Sequence, residues 1–296
     1  MKKVFLSIVA GLTVLLLVGC GSKQTKEVEK TQASALTQKK VEKNFKKSAV
    51  PTVFIHGYGG TINSFGGMIQ RLSSERKTTK EMLITVQSDS SLKVDGELSK
   101  KKDNPTIQVL FTANKDTEWN QTEWIYTVLK YLKQQGVDQV NLVGHSMGGV
   151  SSLRYLTTYG QPKDASTINK FISIGAPFND FTESSESIDD VLRNGPSVKA
   201  GRYIDYQNGI ANVPNKLPIL LLAGKINQET VTDGTVPLNS ALATFSLLKD
   251  HGNPIKYQIF TGPNAQHSQL HENLNVDKTA VSYTHLRAHE TKANLV

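Results

Sequence analysis

Cysteine is nearly missing from this chain: 296 residues include one, Cys20. A lone thiol excludes an intramolecular disulfide and a cysteine-based metal site. Long apolar runs are scarce too. Residues 4–18 form an apolar stretch of 15, short of the ~20 that a transmembrane helix needs. The basic excess, 34 Lys+Arg against 26 Asp+Glu, is lacking from the body. Residues 1–19 hold two lysines and no acid, 20–47 hold eight lysines and three glutamates, and 282–296 hold one Arg, one Lys and one Glu. Residues 48–281 are therefore balanced, which disfavours a basic surface for nucleic acid. There is no P-loop, no dinucleotide fingerprint, no metal-ligand spacing and no internal repeat, so neither metal nor cofactor is expected.

What is present begins with an export signal. Met1-Lys2-Lys3 precedes the apolar run, and Leu17-Val18-Gly19-Cys20 closes it. A basic start, a short apolar stretch and small residues before a cut describe a secretory leader. The L-V-G-C ending resembles the bacterial lipoprotein signal. That resemblance implies cleavage after residue 19, lipidation of Cys20, attachment to a membrane and an extracytoplasmic body. Residues 20–47 are rich in Lys, Gln, Glu, Ser and Thr and poor in large apolar residues. Such a stretch buries too little surface to offset its ordering entropy and reads as a tether.

From 48 to 281 short apolar runs alternate with helical patterns. Strands are expected at 50–55, 82–87, 107–111, 140–143, 171–174, 218–222 and 255–260. Helices are expected at 64–72, 118–135 and 147–159. Residues 92–98, with Asp95-Gly96 in the middle, carry a hairpin signal. The alternation argues for a mostly parallel sheet covered on both faces. Residues 178–215 break the rhythm. Ser184-Ser185-Glu186-Ser187, Asp189-Asp190 and scattered glycines read as a loop-rich insertion, expected to cap the site.

The chemistry centres on Gly144-His145-Ser146-Met147-Gly148, a G-x-S-x-G placed between a strand and a helix. Such a turn lifts a serine Oγ above the sheet, and side chains at the flanking glycines would strike neighbouring backbone. A nucleophilic serine needs a base, and the base needs an orienting carboxylate. Hydrolases with this elbow place the acid and then the histidine after the serine. Asp233, in Thr232-Asp233-Gly234-Thr235-Val236-Pro237 after the strand at 218–222, is the expected acid; Asp205 and Glu229 compete from less suitable neighbourhoods. The histidine follows the last strand, where His267 and His271 both qualify. His267, nearer the strand, is preferred. The oxyanion donors are expected to be the backbone N–H groups of Met147 and of Tyr58, in His56-Gly57-Tyr58-Gly59-Gly60. His56 and His145 read as scaffold.

With these residues in view, 50–281 resembles the alpha/beta-hydrolase superfamily. The set HGYGG, GHSMGG, TDGTVP and HSQLHEN is similar to a family of Gram-positive secreted or surface hydrolases long labelled as a domain of unknown function. The resemblance implies a doubly covered, mostly parallel sheet with a cap. It also implies a serine esterase acting on small or medium acyl esters through Ser146, Asp233 and His267, without a cofactor. The alternatives are a lipase or thioesterase acting on longer chains, and a non-catalytic surface-binding lipoprotein on the same scaffold. Residues 282–296 lose the apolar pattern and resemble adaptor-derived sequence, so they are expected to be foreign and the native C-terminus truncated.

Overall fold

The sheet's burial pattern explains its strands. In the computed structural model, which describes residues 47–285, eight strands share one sheet in the order β3-β2-β4-β1-β5-β6-β8-β9. They are β1 Thr52–Ile55, β2 Thr79–Val86, β3 Leu92–Gly96, β4 Pro105–Phe111, β5 Gln139–His145, β6 Thr167–Ile174, β8 Ile219–Lys225 and β9 Ile255–Thr261. A short ninth, β7 Phe178–Phe181, follows β6 outside it. All pairings are parallel except that of β2 with β3. Central strands such as β1 (TVFI) are buried along their whole length, because a parallel sheet is covered on both faces and has no water-facing side. The outer strands β2, β3 and β9 are only partly buried.

The two faces fill separate cores. Val53, Ile55, Leu142, Leu221 and Ala223 point one way, into a cluster with Trp124, Val128, Leu129 and Leu132 of helix α2 (Glu118–Gln134) and Leu153 and Leu156 of α3 (Met147–Tyr159). Phe54, Val143, Leu220 and Leu222 point the other way, against Phe65, Met68 and Ile69 of α1 (Asn63–Ser74) and Val276, Ala280 and Val281 of the last helix. Alternation by two along each strand makes both cores from the same residues' neighbours. Thr117 caps α2, its hydroxyl accepting from Asn120 N, and Gly136 stops it at φ 81°.

Two expectations are corrected in detail. The turn expected at Asp95-Gly96 lies earlier: Gln87 N–H bonds Ser91 O across Ser88-Asp89-Ser90, and Ser90 takes φ 68°. Gly96 instead sits inside the ladder opposite Met82, where a Cβ would lie 2.2 Å from the Glu81 carbonyl oxygen, beside a register shift between Lys80 and Met82. The 178–215 segment is more ordered than a loop-rich reading suggests: after β7 come helices α4 (Ile188–Asn194) and α5 (Gly201–Gly209). Ser187 caps α4, accepting from Asp190 N while its hydroxyl donates to that aspartate. Two further helices, α6 (Leu238–Ala241) and α7 (Phe245–Asp250), follow β8. The last helix, α8, is Leu274–His285. It runs past 281 with Tyr283, Thr284 and His285 buried, and Lys170 Nζ donates to the Tyr283 and Thr284 carbonyls. The rest of that tail, the leader, Cys20 and the tether up to 46 lie outside the described residues.

Candidate functional site

The chain leaves β1 for the β2, β3, β4 side of the sheet and returns to β5 on the other side. Ligands of open α/β sheets collect at such a reversal, beyond the strands' carboxyl ends. Here the loop after β1 and the turn after β5 meet.

Ser146 occupies that turn with φ 53° and ψ −126°, a conformation that costs a non-glycine residue about 1–3 kcal/mol. Its N–H is tied to Ile174 O at 2.9 Å, and its own carbonyl accepts from Gly149 N and Val150 N. The flanking glycines are required by contact. A Cβ on Gly144 would lie 2.5 Å from the backbone of Gly148, and one on Gly148 would lie 2.3 Å from Ile55 O. The β1 loop is equally close, since a Cβ on Gly57 would sit 2.7 Å from Ser146 Cβ.

His267 opens a 3-10 turn, His267–Glu272, after β9. Its Nε2 is 2.9 Å from Ser146 Oγ and its Nδ1 is 2.8 Å from Asp233 Oδ2. A carboxylate only accepts, so Nδ1 carries the hydrogen and Nε2 is left to accept from the serine hydroxyl. Asp233, 1% exposed, is held by its second oxygen, which accepts from Thr235 N and Val236 N at 3.0 and 2.7 Å. The backbones are joined as well, His267 N donating to Asp233 O at 2.9 Å. A hydroxyl whose proton can pass to an imidazole oriented by a carboxylate is the geometry of an activated nucleophile.

The competing residues lie elsewhere. Asp205 accepts from Arg154 Nη1, and Glu229 is exposed in the loop after β8. His271 packs edge-on against the His145 ring at 4.8 Å, and its Nδ1 is 3.1 Å from Glu272. His145 is buried against both histidines, and its Nε2 donates to His267 O at 3.0 Å. Burial, and then the neighbouring His267 and His271, push its pKa well below the usual imidazole value. His56 accepts from Phe111 N at Nε2 and donates from Nδ1 to Gly57 O, which fixes a neutral tautomer. Burial lowers its pKa too, and its ring fills the hollow of the Gly57–Gly60 loop.

Two features escaped the sequence reading. Arg71, on α1, reaches the turn that follows His267. Its Nε and Nη2 hold both oxygens of Asp277 at 2.6 and 3.2 Å, Nη1 holds Glu272 at 2.5 Å, and Nη2 also donates to His271 O. No local pattern marks contacts across 206 residues; only the apolar face of α1, which predicts packing on the sheet, hints at it. The second is a pair of guanidiniums on one buried carboxylate. Glu118 accepts at Oε1 from Arg154 and at Oε2 from Arg202. Arg154 also bonds Asp205, and Arg202 also bonds Pro177 O and Asp180. This network ties α5 to α2 and α3. It walls a cavity of about 550 Å³ that Tyr58 and Met147, the expected oxyanion donors, also line. Met147 begins α3, and the first N–H groups of a helix have no acceptor within it.

With the geometry established, likeness to known proteins can be read. In fold the chain is similar to the product of the lin2722 gene of Listeria innocua, at 28% identity and a TM-score of 0.74 over 79% of this chain and 93% of that one. It is also similar to a Lactobacillus plantarum protein described as a "putative cell surface hydrolase", at 24% identity and a TM-score of 0.61 over 79% and 89%. No curated protein matches it. Residues 39–284 match the family described as alpha/beta hydrolase of unknown function (DUF915), and the chain, with its mostly parallel sheet and the serine turn between β5 and α3, belongs to that alpha/beta-hydrolase family.

Proposed function

We propose that this hydrolase is a serine esterase that cleaves carboxylic esters of small or medium acyl groups. The observation that carries the reading is the continuous path Asp233–His267–Ser146, with 2.8 and 2.9 Å between successive polar atoms. Ser146 Oγ attacks the ester carbonyl carbon while its proton moves to His267 Nε2. The carbonyl oxygen becomes an oxyanion facing the Tyr58 and Met147 N–H groups. Asp233 holds the imidazolium that forms. The tetrahedral adduct collapses, the C–O bond to the alcohol breaks, and the alcohol leaves with the proton from Nε2. Water then attacks the acyl-enzyme, gives its proton to Nε2, and the acid departs as that proton returns to Ser146. Ester and water become acid and alcohol with no redox change and no cofactor.

The leader ending in Cys20 supports an extracytoplasmic enzyme held at a membrane by a lipid. The test of activity is Ser146→Ala on p-nitrophenyl acetate. Loss of the nucleophile should lower kcat by several orders of magnitude, and a fluorophosphonate should label the parent chain and not the variant. Turnover by the variant equal to that of the parent would sink the assignment. Wild-type protein that neither turns over the ester nor takes the label would favour a binding lipoprotein.

A further inference from the structure

The cavity lined by Tyr58 and Met147 has a composition that the esterase reading leaves unused. Trp119, at the start of α2, is 53% exposed. The Arg154 guanidinium covers one face of its ring at 3.7 Å from the centroid, and among the described residues no other ring or cation stacks on it. A rigid indole is thus clamped from behind by a side chain that is itself 3% exposed. Tyr58, 63% exposed, lines the same space. So do Asp116, Asp180 and Asp205. Asp205 meets Arg154 through Oδ2 and Asp180 meets Arg202 through Oδ1. Each therefore keeps an oxygen with lone pairs for another donor, and their side chains are 45% and 42% exposed.

Three ligand classes fit this wall poorly. An anion would meet four carboxylates on this wall, Asp116, Glu118, Asp180 and Asp205, against three cations, Lys115, Arg154 and Arg202, of which both guanidiniums already pair with Glu118 and with Asp205 or Asp180. A cationic group would gain from the aromatic ring, but Arg154 already occupies that ring's electron density from behind. A long alkyl chain would desolvate carboxylates without hydrogen-bonding them. What remains is a neutral ligand with an apolar face to lie on an indole and hydroxyls to donate to carboxylates. A pyranose ring has both, its axial C–H bonds on one face and its hydroxyls around the edge.

We propose that the ester hydrolysed here is an O-acylated sugar, with the pyranose seated on Trp119 and its hydroxyls donating to Asp205 and Asp180. The inference rests on the esterase reading and names its substrate class. The carboxylates and the indole set specificity, and the network through Glu118 holds them in place.

The test compares three acetates with the full chain: p-nitrophenyl acetate, a methyl glucoside acetylated at its primary hydroxyl, and cyclohexylmethyl acetate, which has the ring without the hydroxyls. The sugar ester should exceed the cyclohexyl ester in kcat/KM by at least about tenfold, the size of one good aromatic or charge-assisted contact. Trp119→Ala and Asp205→Asn should each lower the ratio of sugar-ester to p-nitrophenyl-ester kcat/KM by about tenfold. Asp205→Asn keeps the side chain's shape and so stands if the tryptophan variant misfolds. Equal kcat/KM for the sugar and cyclohexyl esters, or an unchanged ratio in a folded variant, overturns the proposal while leaving the esterase intact. Absence of any Ser146-dependent turnover overturns the esterase reading instead. Binding of unesterified methyl glucoside to Ser146→Ala, read by saturation-transfer NMR, reports on the sugar seat without chemistry: saturation transfer that Trp119→Ala removes supports it, and none overturns it.

Discussion

Replacing Arg71 with methionine removes a charge from a site whose partners cannot follow it into water. The guanidinium makes four hydrogen bonds, two to Asp277, one to Glu272 and one to the His271 carbonyl. Asp277 has only 4% of its side chain exposed. Burial raises its pKa, and Arg71 opposes that rise. Breaking a fully buried pair costs about 3–5 kcal/mol. Arg71 and Glu272 are 26% and 34% exposed, so water recovers part of the loss and about 2–3 kcal/mol is expected. For a body of this size that lowers Tm by roughly 5–10 °C. The pH dependence has a definite sign. Without Arg71, the folded-state pKa of Asp277 rises further above its unfolded value, so the buried, ionised carboxylate costs most at neutral pH and the cost fades as acid protonates it. The stability gap between parent and Arg71→Met, measured by urea denaturation, should therefore narrow from pH 7 toward pH 5. Arg71→Met/Asp277→Asn should recover part of it at neutral pH, since contacting residues do not add. Because Arg71 bonds the turn that begins at His267, kcat should fall more than KM rises, as expected of a positioning residue. A variant within about 0.5 kcal/mol of the parent, or a double variant with fully additive losses, would refute the reasoning.

Other outcomes follow from single contacts. Gly148→Ala places a Cβ about 2.3 Å from Ile55 O and 2.6 Å from His56 O. These backbone atoms belong to the central strand and its loop, so misplacement should cost about 100-fold in activity and about 1–3 kcal/mol in stability. Intact p-nitrophenyl acetate turnover would contradict it. Ser146→Gly should melt above Ser146→Ala, because glycine takes φ 53° and ψ −126° without strain; a lower Tm for the glycine variant would show that the turn is relaxed. Three buried histidines, His56, His145 and His285, and the partly buried His271 have lowered pKa values, His285 to about 3, with burial the first cause in each. The unfolded chain accepts protons on them that the folded chain refuses. Stability is therefore complete above the ordinary imidazole pKa of about 6.5 and falls by up to ~1.4 kcal/mol per pH unit per histidine below it. Urea midpoints equal at pH 7 and pH 5 would contradict that.

The legible parts of this fold are those whose signal is local. GHSMGG announced a strand, a strained turn and a helix because its glycines answer to backbone only a few residues away or in the adjacent strand. The apolar runs of β1, β5 and β8 announced a buried parallel sheet because each strand is covered on both faces. The choice of His267 over His271 followed from distance along the loop after β9, and the structure turns the two rings to different neighbours, one to Ser146 and Asp233, the other to His145 and Glu272. Where reading failed, two local signals conflicted or the partner was remote. Asp95-Gly96 has the composition of a turn, but Gly96 is there because the Glu81 carbonyl needs its space. Ser187 and Asp190 form a recognisable capping pair, yet the seven-residue α4 is too short for its apolar spacing to stand out. Arg71 with Asp277, and Glu118 with Arg154 and Arg202, carry no local pattern at all. In sequence each is a charge on a helix, and only the fold makes it a buried joint. The residues positioned for chemistry are thus announced by backbone constraints close to them. The residues that hold those in place, and that shape the cavity beside them, belong to the tertiary structure.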